Sequence, residues 1–479
     1  MMGSHDLISI VPFIIIAFTA VLVMLMTALE QGRAGTFIIT ACGYGFSLVS
    51  ICLIVPKVQP AQQIVPLLII DGYSLFFIGL IIAASLALAA LSYDYLKMHT
   101  ARFGEYYVLF LTATLGAMVL AASSHFASFF LGLEILSLSL YVLVAYLYTT
   151  PRHLEAGIKY LVLSSVSTAF LLLGMALIYD RSGTMEFSGL IMRMPGLAPD
   201  LALAAGTVMV VAGIGFKLAL VPFHMWAPDV YEGAPVPVAA FIATVSKGAV
   251  FTVLTKFFTG GVIAEGGPLF IMFSVIAAAT MFMGNFLALF QNNVKRLLAY
   301  SSIAQFGYLL VAFLSVRGMH ITPVAFYLAA YFVMTIGAFG IVTLMADRDS
   351  DGDHLYAYAG LFFARPYLTA AFALMLLALA GMPLTMGLIG KLYIFAAGVA
   401  SGLWFLVIVL AINSVIGLFY YIRVISIMFI RPEAGEIKLS GQRPSRTGCF
   451  LIAVLTIILV WLGIYPAPLV SIIQKLMGP

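Results

Sequence analysis

Charged residues are scarce in this sequence. Its 479 residues include 23 Lys or Arg and 19 Asp or Glu, 9% in all, against 63% hydrophobic residues. A soluble domain carries about 25% charged and 45–50% apolar residues, so most of this surface faces something other than water. That excludes a soluble enzyme, a nucleic-acid-binding protein and a disordered chain. A net charge of +4 bears on membrane orientation rather than on an acidic partner. The apolar runs are continuous rather than alternating, which also excludes an outer-membrane barrel. At about 20 apolar residues per crossing, there is room for roughly fifteen helical spans at most. The expected fold class is an all-α polytopic membrane protein in a lipid bilayer.

Cysteine is also rare. The three residues Cys42, Cys52 and Cys449 lie in apolar runs without metal-ligand spacing, and they read as small hydrophobes. There is no phosphate loop, Cys/His metal set, nucleophile motif or dinucleotide fingerprint. The chain itself is therefore expected to hold no cofactor, metal or redox centre. No basic region precedes the first apolar run and no small-residue cleavage site follows it, so that run is expected to be a retained span.

Fourteen spans are expected, with cores near 7–29, 35–55, 71–92, 104–122, 126–148, 155–179, 201–222, 236–258, 268–290, 295–315, 321–346, 366–398, 402–430 and 447–471. Lys and Arg set the direction. With the N-terminus outside, inner loops and helix ends hold Arg33, Lys97, Arg102, Arg152, Lys295, Arg296, Arg348, Arg365, Arg431, Lys438, Arg443 and Arg446. The outer ones hold Lys57, Arg181, Arg193, Lys256, Arg317 and Lys475. This imbalance puts both termini outside. Arg423, near the inner end of its span, is expected to snorkel.

Five charges remain inside the spans: Glu134, Lys159, Lys217, Lys247 and Lys391. A charge at the centre of a spanning helix costs about 2.5–3.5 kcal/mol, and such groups face the protein interior and pair or titrate. Glu134 falls about nine residues into the fifth span, roughly 13 Å along it and near mid-membrane. Lys247 is about as deep in the eighth. Lys217 precedes Pro222, and Lys391 follows Gly381, Pro383 and Gly387. Both proline-bearing spans should be broken, and broken helices beside a charge are a recurrent ion-site device in transporters. One buried salt bridge to Glu134 is the plain structural reading, but one carboxylate cannot neutralise four lysines. Burial lowers a lysine's proton affinity and a nearby carboxylate raises it, so moving that carboxylate switches the lysine. Lys159 has Glu155 four residues before it, and an interfacial i,i+4 pair stands beside the relay reading.

Other polar residues are read more plainly. Asp229 and Glu232 are expected to be solvated in a connecting loop, His125 to cap a helix, and His320 and His354 to lie in solvated loops. His224, between Lys217 and Lys247, is either a satisfied histidine or a relay member. Tyr300, Ser301, Ser302 and Gln305 form a polar stripe suited to binding water or joining helices.

The chain also matches itself. Tyr141–Leu147 (YVLVAYL) matches Tyr308–Leu314 (YLLVAFL) at an offset of 167, Ala169-Phe170 recurs as Ala338-Phe339, and Pro222 recurs as Pro383. The expected organisation is a three-helix segment over 1–100, five-helix copies over 104–260 and 267–431, and a C-terminal helix over 447–479. Five is odd, so the second copy is inverted, and inverted repeats place ion sites near the midplane. At that offset Ser301 stands where Glu134 does.

Three stretches carry a family resemblance: GFKLALVPFHMWAPDVYEGAPVPVAAFIATVSK from Gly215 to Lys247, NNVKRLLAYSSIAQFGYLLVAF from Asn292 to Phe313, and LALAGMPLTMGLIGK from Leu377 to Lys391. They resemble the proton-conducting membrane subunits of respiratory complex I, the NADH–quinone oxidoreductase, and the related cation/proton antiporters. LGLEILSLSLYVLVAY, Leu131 to Tyr146, is most similar to the N-type branch, with the M-type branch the nearer competitor.

The resemblance implies roles at matching positions. Glu134 would pair with the broken-helix lysine Lys217, Lys247 would be the next relay lysine, Lys391 the terminal one and Lys159 an additional one. Gln305 departs from the pattern, since many relatives have His there; Gln does not titrate near neutral pH, so water would have to carry a proton past it. NADH, FMN, iron–sulfur clusters and quinone are implied in partner subunits, and the partners are other membrane subunits, lipid, protons and water. The implied place is a bacterial inner membrane. Two rivals stay open: a subunit of a multi-subunit Na⁺/H⁺ antiporter, and a scaffold whose buried charges are only structural.

Overall fold

The computed structural model describes residues 4–29, 32–57, 62–65, 67–100, 102–148, 151–193, 200–258, 263, 266–315, 321–347, 351–431 and 445–477. Arg317, His320, Arg348, Lys438 and Arg443 lie outside them. In lipid a backbone must satisfy its own polar groups, which leaves the helix as the form for these apolar runs. The helices are α1 (Ser4–Ala28), α2 (Arg33–Ile54), α3 (Gly72–His99), α4 (Gly104–Ala122), α5 (Phe126–Val144), α6 (Pro151–Ser182) and the short α7 (Phe187–Arg193). They continue with α8 (Leu201–Leu218), α9 (Trp226–Gly233), α10 (Val236–Phe241), α11 (Lys247–Phe258), α12 (Pro268–Ala288), α13 (Val294–Ser315) and α14 (Thr322–Met345). Last come α15 (Leu361–Ala364), α16 (Pro366–Ala380), α17 (Met386–Ala400), α18 (Trp404–Met428), α19 (Arg446–Ile464) and α20 (Ala467–Met477).

Among the described residues, 13 helical stretches are long and apolar enough to cross a membrane, and the α16–α17 pair supplies the interrupted fourteenth. Three details differ from the sequence reading. A small antiparallel hairpin, β1 (Gln62–Val65) and β2 (Leu68–Ile70), precedes α3. The last span stops at Ile464, because Pro466 and Pro468 start a separate helix, α20. Asp229 and Glu232 lie in α9 rather than in a loop.

Both expected breaks occur. α8 ends at Leu218 with Ala219 in the left-handed region (φ 56°), ahead of the cis Val221–Pro222 bond. α16 ends at Ala380 with Gly381 at φ 91° and Leu384 at 65°. Helix starts are capped from the sequence: the Asp71 side chain accepts from Ser74 N at 2.7 Å, and His125 Nδ1 accepts from Ala127 N at 3.0 Å. His125 thus takes its expected capping role. Arg423 fills the C-terminal end of α12, donating to Leu289 O at 3.0 Å and Asn292 Oδ1 at 2.6 Å.

The centre of the molecule is the α10–α11 rod, α13 and α14, which are almost wholly buried. α1, α2, α6, α12, α18 and α19 form the rim and leave large apolar side chains exposed, such as Phe46, Leu173, Val275 and Phe419. Cys42 and Cys52 lie exposed on α2.

Close helix crossings are made by small residues. A Cβ on Gly116 would stand 2.5 Å from Leu136 N and 2.8 Å from Gly132 O, and one on Gly284 would stand 2.6 Å from Ala304 N and 2.9 Å from Tyr300 O. Each residue of the second crossing lies 168 positions after its counterpart in the first. Two isolated backbone bridges keep the same spacing, His125 with Glu186 and Asn293 with His354. In the first, Phe126 N donates to Met185 O and Phe187 N to Ser124 O, both at 2.9 Å. In the second, Val294 N donates to Asp353 O at 2.6 Å and Leu355 N to Asn292 O at 2.8 Å. The first bridge stands at the start of α5. The second stands beside Arg152 at the start of α6, through the Arg152–Asp353 contact of 2.6 Å, and so on the face where α5 ends.

Candidate functional site

Lys217 is the penultimate residue of α8, where the break lets its side chain run into the interior with only 6% of its surface exposed. Its ammonium donates to Ser137 Oγ at 2.7 Å and Ser164 Oγ at 2.6 Å, and Tyr141 donates to the same Ser164 at 2.6 Å. The expected Glu134–Lys217 ion pair is not made. Glu134 is partly buried, with Oε1 enclosed and without a partner, and acts on Lys217 only at longer range. Ser137 follows Glu134 by three residues on α5 and takes the contact on the same helix face. A hydroxyl accepts from an ammonium and donates to a neutral amine, so this cradle satisfies Lys217 in either protonation state.

Lys247 opens α11 directly after a π-helical turn, Ile242–Ser246, which the sequence reading did not foresee. Such turns inside α-helices are rare and frequent at functional sites. The lysine is fully buried and donates to Ser302 Oγ at 2.8 Å. The Tyr231 and Phe306 ring centroids lie 5.5 and 5.3 Å from its nitrogen, within cation–π range. His224, in the turn between α8 and α9, is buried, and neither ring nitrogen has a partner with hydrogen-bond geometry.

The polar stripe of α13 continues from there. Ser301 bonds Tyr421, Gln305 Nε2 donates to Leu379 O at 3.0 Å, and Tyr327 donates to Gln305 Oε1. Tyr308, one turn further, accepts from Asn285 at 3.0 Å and presents its ring 4.9 Å from Lys391 Nζ. Lys391 donates to Ala380 O at 2.8 Å, the last carbonyl of α16, where the helix dipole favours a cation. Gly381 makes room: a Cβ there would sit 2.9 Å from Lys391 Cδ.

Lys159 is not among these buried groups. Its side chain is 44% exposed, paired with Glu155 at 2.7 Å and Asp229 at 3.3 Å, so the i,i+4 pair is what the structure holds. It belongs to a charged cluster on one face, around a cavity of about 240 Å³. There Arg296 meets Asp229 and Glu232, both at 2.7 Å, and Arg152 meets Glu232 at 2.7 Å and Asp353 at 2.6 Å. Behind it Lys295, expected at a helix end, is fully buried and pairs with Asp351 at 2.7 Å, while Tyr95 donates to the same carboxylate at 2.7 Å. Burial opposes ionisation of Asp351, but the Lys295 ammonium and these hydrogen bonds outweigh it and hold the carboxyl below its ordinary range. The two kinds of lysine differ in their partners. Lys217, Lys247 and Lys391 rest on neutral oxygens, whereas Lys159 and Lys295 are fixed by carboxylates.

Ser137, Ser164, Ser302 and Tyr308 are the contributors that sequence reasoning left without a lysine partner. For Ser137 the signal was helical spacing from Glu134, and Ser302 lay in the polar stripe; Ser164 and Tyr308 carried none.

The model of the NADH:quinone oxidoreductase/Mrp antiporter transmembrane family matches residues 123–417. NADH-quinone oxidoreductase subunit N of Ectopseudomonas mendocina (strain ymp) is 43% identical, over 98% of this chain and 97% of its own. The subunit N of Nitrosospira multiformis is 48% identical, over 98% of this chain and 96% of its own. Among solved structures, a chain of respiratory complex I from Thermus thermophilus with bound aureothin is 29% identical, with a TM-score of 0.81 over 96% of this chain and 98% of that one. The chain belongs to the transmembrane family of NADH:quinone oxidoreductase and Mrp antiporter subunits, and within it to the N-type subunits.

Proposed function

We propose that this chain is a proton-translocating membrane subunit of a bacterial NADH–quinone oxidoreductase, and that protons pass through Lys217, Lys247 and Lys391 along α13. The observation that carries the reading is the set of neutral partners around three buried lysines. Each can release a proton without abandoning a fixed counter-ion. Glu134 is the modulating charge: moved toward Lys217 it stabilises the ammonium, and moved away it lets the amine give up its proton. His224, Tyr231, Thr335 and Ser414 each hold a buried polar atom whose neighbours do not meet hydrogen-bond geometry, and such atoms are where internal water binds and links neighbouring groups. Gln305 is crossed by water rather than by its own titration. The lysines titrate as a coupled set. Lys159 serves at the charged face, where it helps hold α9.

The bridges and crossings spaced by 168 residues support an inverted five-helix repeat. In that register Ser302, the partner of Lys247, occupies the position of Glu134, one residue on from the sequence match at 167. Electron transfer belongs to partner subunits carrying NADH, FMN, iron–sulfur and quinone sites. The membrane is the bacterial inner membrane, with both chain termini outside. The family also includes Mrp-type antiporter subunits, but the relatives 43% and 48% identical to this chain are N subunits.

The test is proton pumping in inverted membrane vesicles, normalised to NADH–quinone activity, for complexes carrying Lys217→Ala or Glu134→Ala. Assembled complexes that pump fewer protons per electron support the reading. An unchanged ratio contradicts it, and a failure to assemble with normal pumping by any complex that forms favours a scaffold.

A further inference from the structure

One large cavity lies away from the buried lysines. It is a groove of about 680 Å³ between the ends of α3, α4, α5 and α6. Its walls are apolar, with Val142, Ile158 and Leu161 each left about half exposed at 51%, 53% and 44%. Its mouth holds Arg102 and Glu105. These opposite charges are three residues apart at the start of α4, yet neither forms an ion pair among the described residues. The guanidinium instead lies over the Tyr148 ring, 5.8 Å from its centroid, while Tyr146 donates to the Arg102 carbonyl at 3.0 Å and fixes that rim.

We propose that this groove binds a zwitterionic phospholipid with a primary-amine headgroup, its phosphate on Arg102 and its ammonium on Glu105. Two unpaired opposite charges at one mouth match the two charges of such a headgroup, and Tyr146 and Tyr148 stand where interfacial aromatics do. The lining runs inward only to Tyr141, Leu109 and Leu161, about 5 Å from the end of α5, about 8 Å into α4 and about 15 Å into α6. That depth takes the glycerol and the first carbons of two chains, whereas a partner helix would need a groove near 30 Å long. Tyr141 lines the groove, and its hydroxyl donates to Ser164, which accepts from Lys217. A bound lipid would therefore seal the Lys217 cradle from the membrane edge. The binding does not depend on the proposed relay; only this consequence does.

The test is lipid retention by the purified intact complex, measured by native mass spectrometry after detergent delipidation and re-addition of phosphatidylethanolamine, phosphatidylglycerol or phosphatidylcholine. The proposal expects phosphatidylethanolamine to be retained and Arg102→Ala to weaken its retention about tenfold, the equivalent of one charge-assisted hydrogen bond. Glu105→Gln should erase the preference over phosphatidylcholine and leave retention of the phosphate. Both side chains are exposed, so both variants should assemble. Equal retention by Arg102→Ala, preferential retention of phosphatidylglycerol, or disulfide capture of a partner subunit by Val142→Cys would overturn it.

Discussion

A buried amine that rests on a hydroxyl can lose its proton, and one that rests on a carboxylate is held to its charge. That distinction separates Lys217 and Lys247 from Lys295. Replacing Ser164 with Ala should leave the Lys217 amine short of one partner, at about 1–3 kcal/mol. Proton pumping per electron should fall, by less than in Lys217→Met, and vesicle assays on the two variants check the order. The Lys295–Asp351 pair should behave oppositely. Lys295→Met strands a buried carboxylate and should destabilise the complex by about 3–5 kcal/mol, and adding Asp351→Leu should recover part of that, as thermal denaturation of the two variants would show. Asp351 has a depressed folded pKa, so its stabilisation is present above the unfolded value of about 3.9 and is lost only as pH falls through the lower folded value. The stability gap between wild type and the double variant should therefore stay flat from pH 6 to 9. The positions of the buried charges were legible because a charge in an apolar run is conspicuous. Their partners were not. Lys295 looked like a helix-end cation, and its burial comes from the 351–354 segment folding back over the start of α13.

At the scale of elements, the two breaks were legible because proline removes a backbone donor and cannot continue a helix. The π turn before Lys247 was not, since Ile242–Ser246 contains neither proline nor glycine and its shape is imposed by packing around the buried rod. α9 was missed because its eight residues hold a proline and two acids, and only their pairing with Arg296 and Lys159 shows why they are helical. Gly381 makes a direct test. Its positive φ costs an L-residue about 1–2 kcal/mol, and a Cβ there would press on Lys391 Cδ. Gly381→Ala should displace Lys391 from the Ala380 carbonyl and lower pumping while NADH–quinone activity in detergent persists. Equal pumping would show that this contact does not matter.

Across the whole molecule, the charged cluster ties one half to the other. Asp229 and Glu232 on α9, next to the break that carries Lys217, are held by Arg296 at the start of α13, the helix that runs from Lys247 to Lys391. In the proposed mechanism these ion pairs link the broken helix to the central polar stripe. Arg296→Ala should loosen that link and reduce pumping per electron without removing any buried lysine, whereas a role confined to stability would lower the melting temperature alone. The helical membrane architecture and both breaks could be read from the chain. The clasp could not, because it joins residues more than 60 positions apart. The central claim is that protons cross this chain through lysines with neutral partners. Its most direct test is the proton-to-electron ratio of assembled complex reconstituted with Lys247→Met, a substitution close in volume that cannot carry a proton. The account predicts a lower ratio at preserved quinone reduction in uncoupled vesicles. A ratio equal to that of the wild type would contradict it.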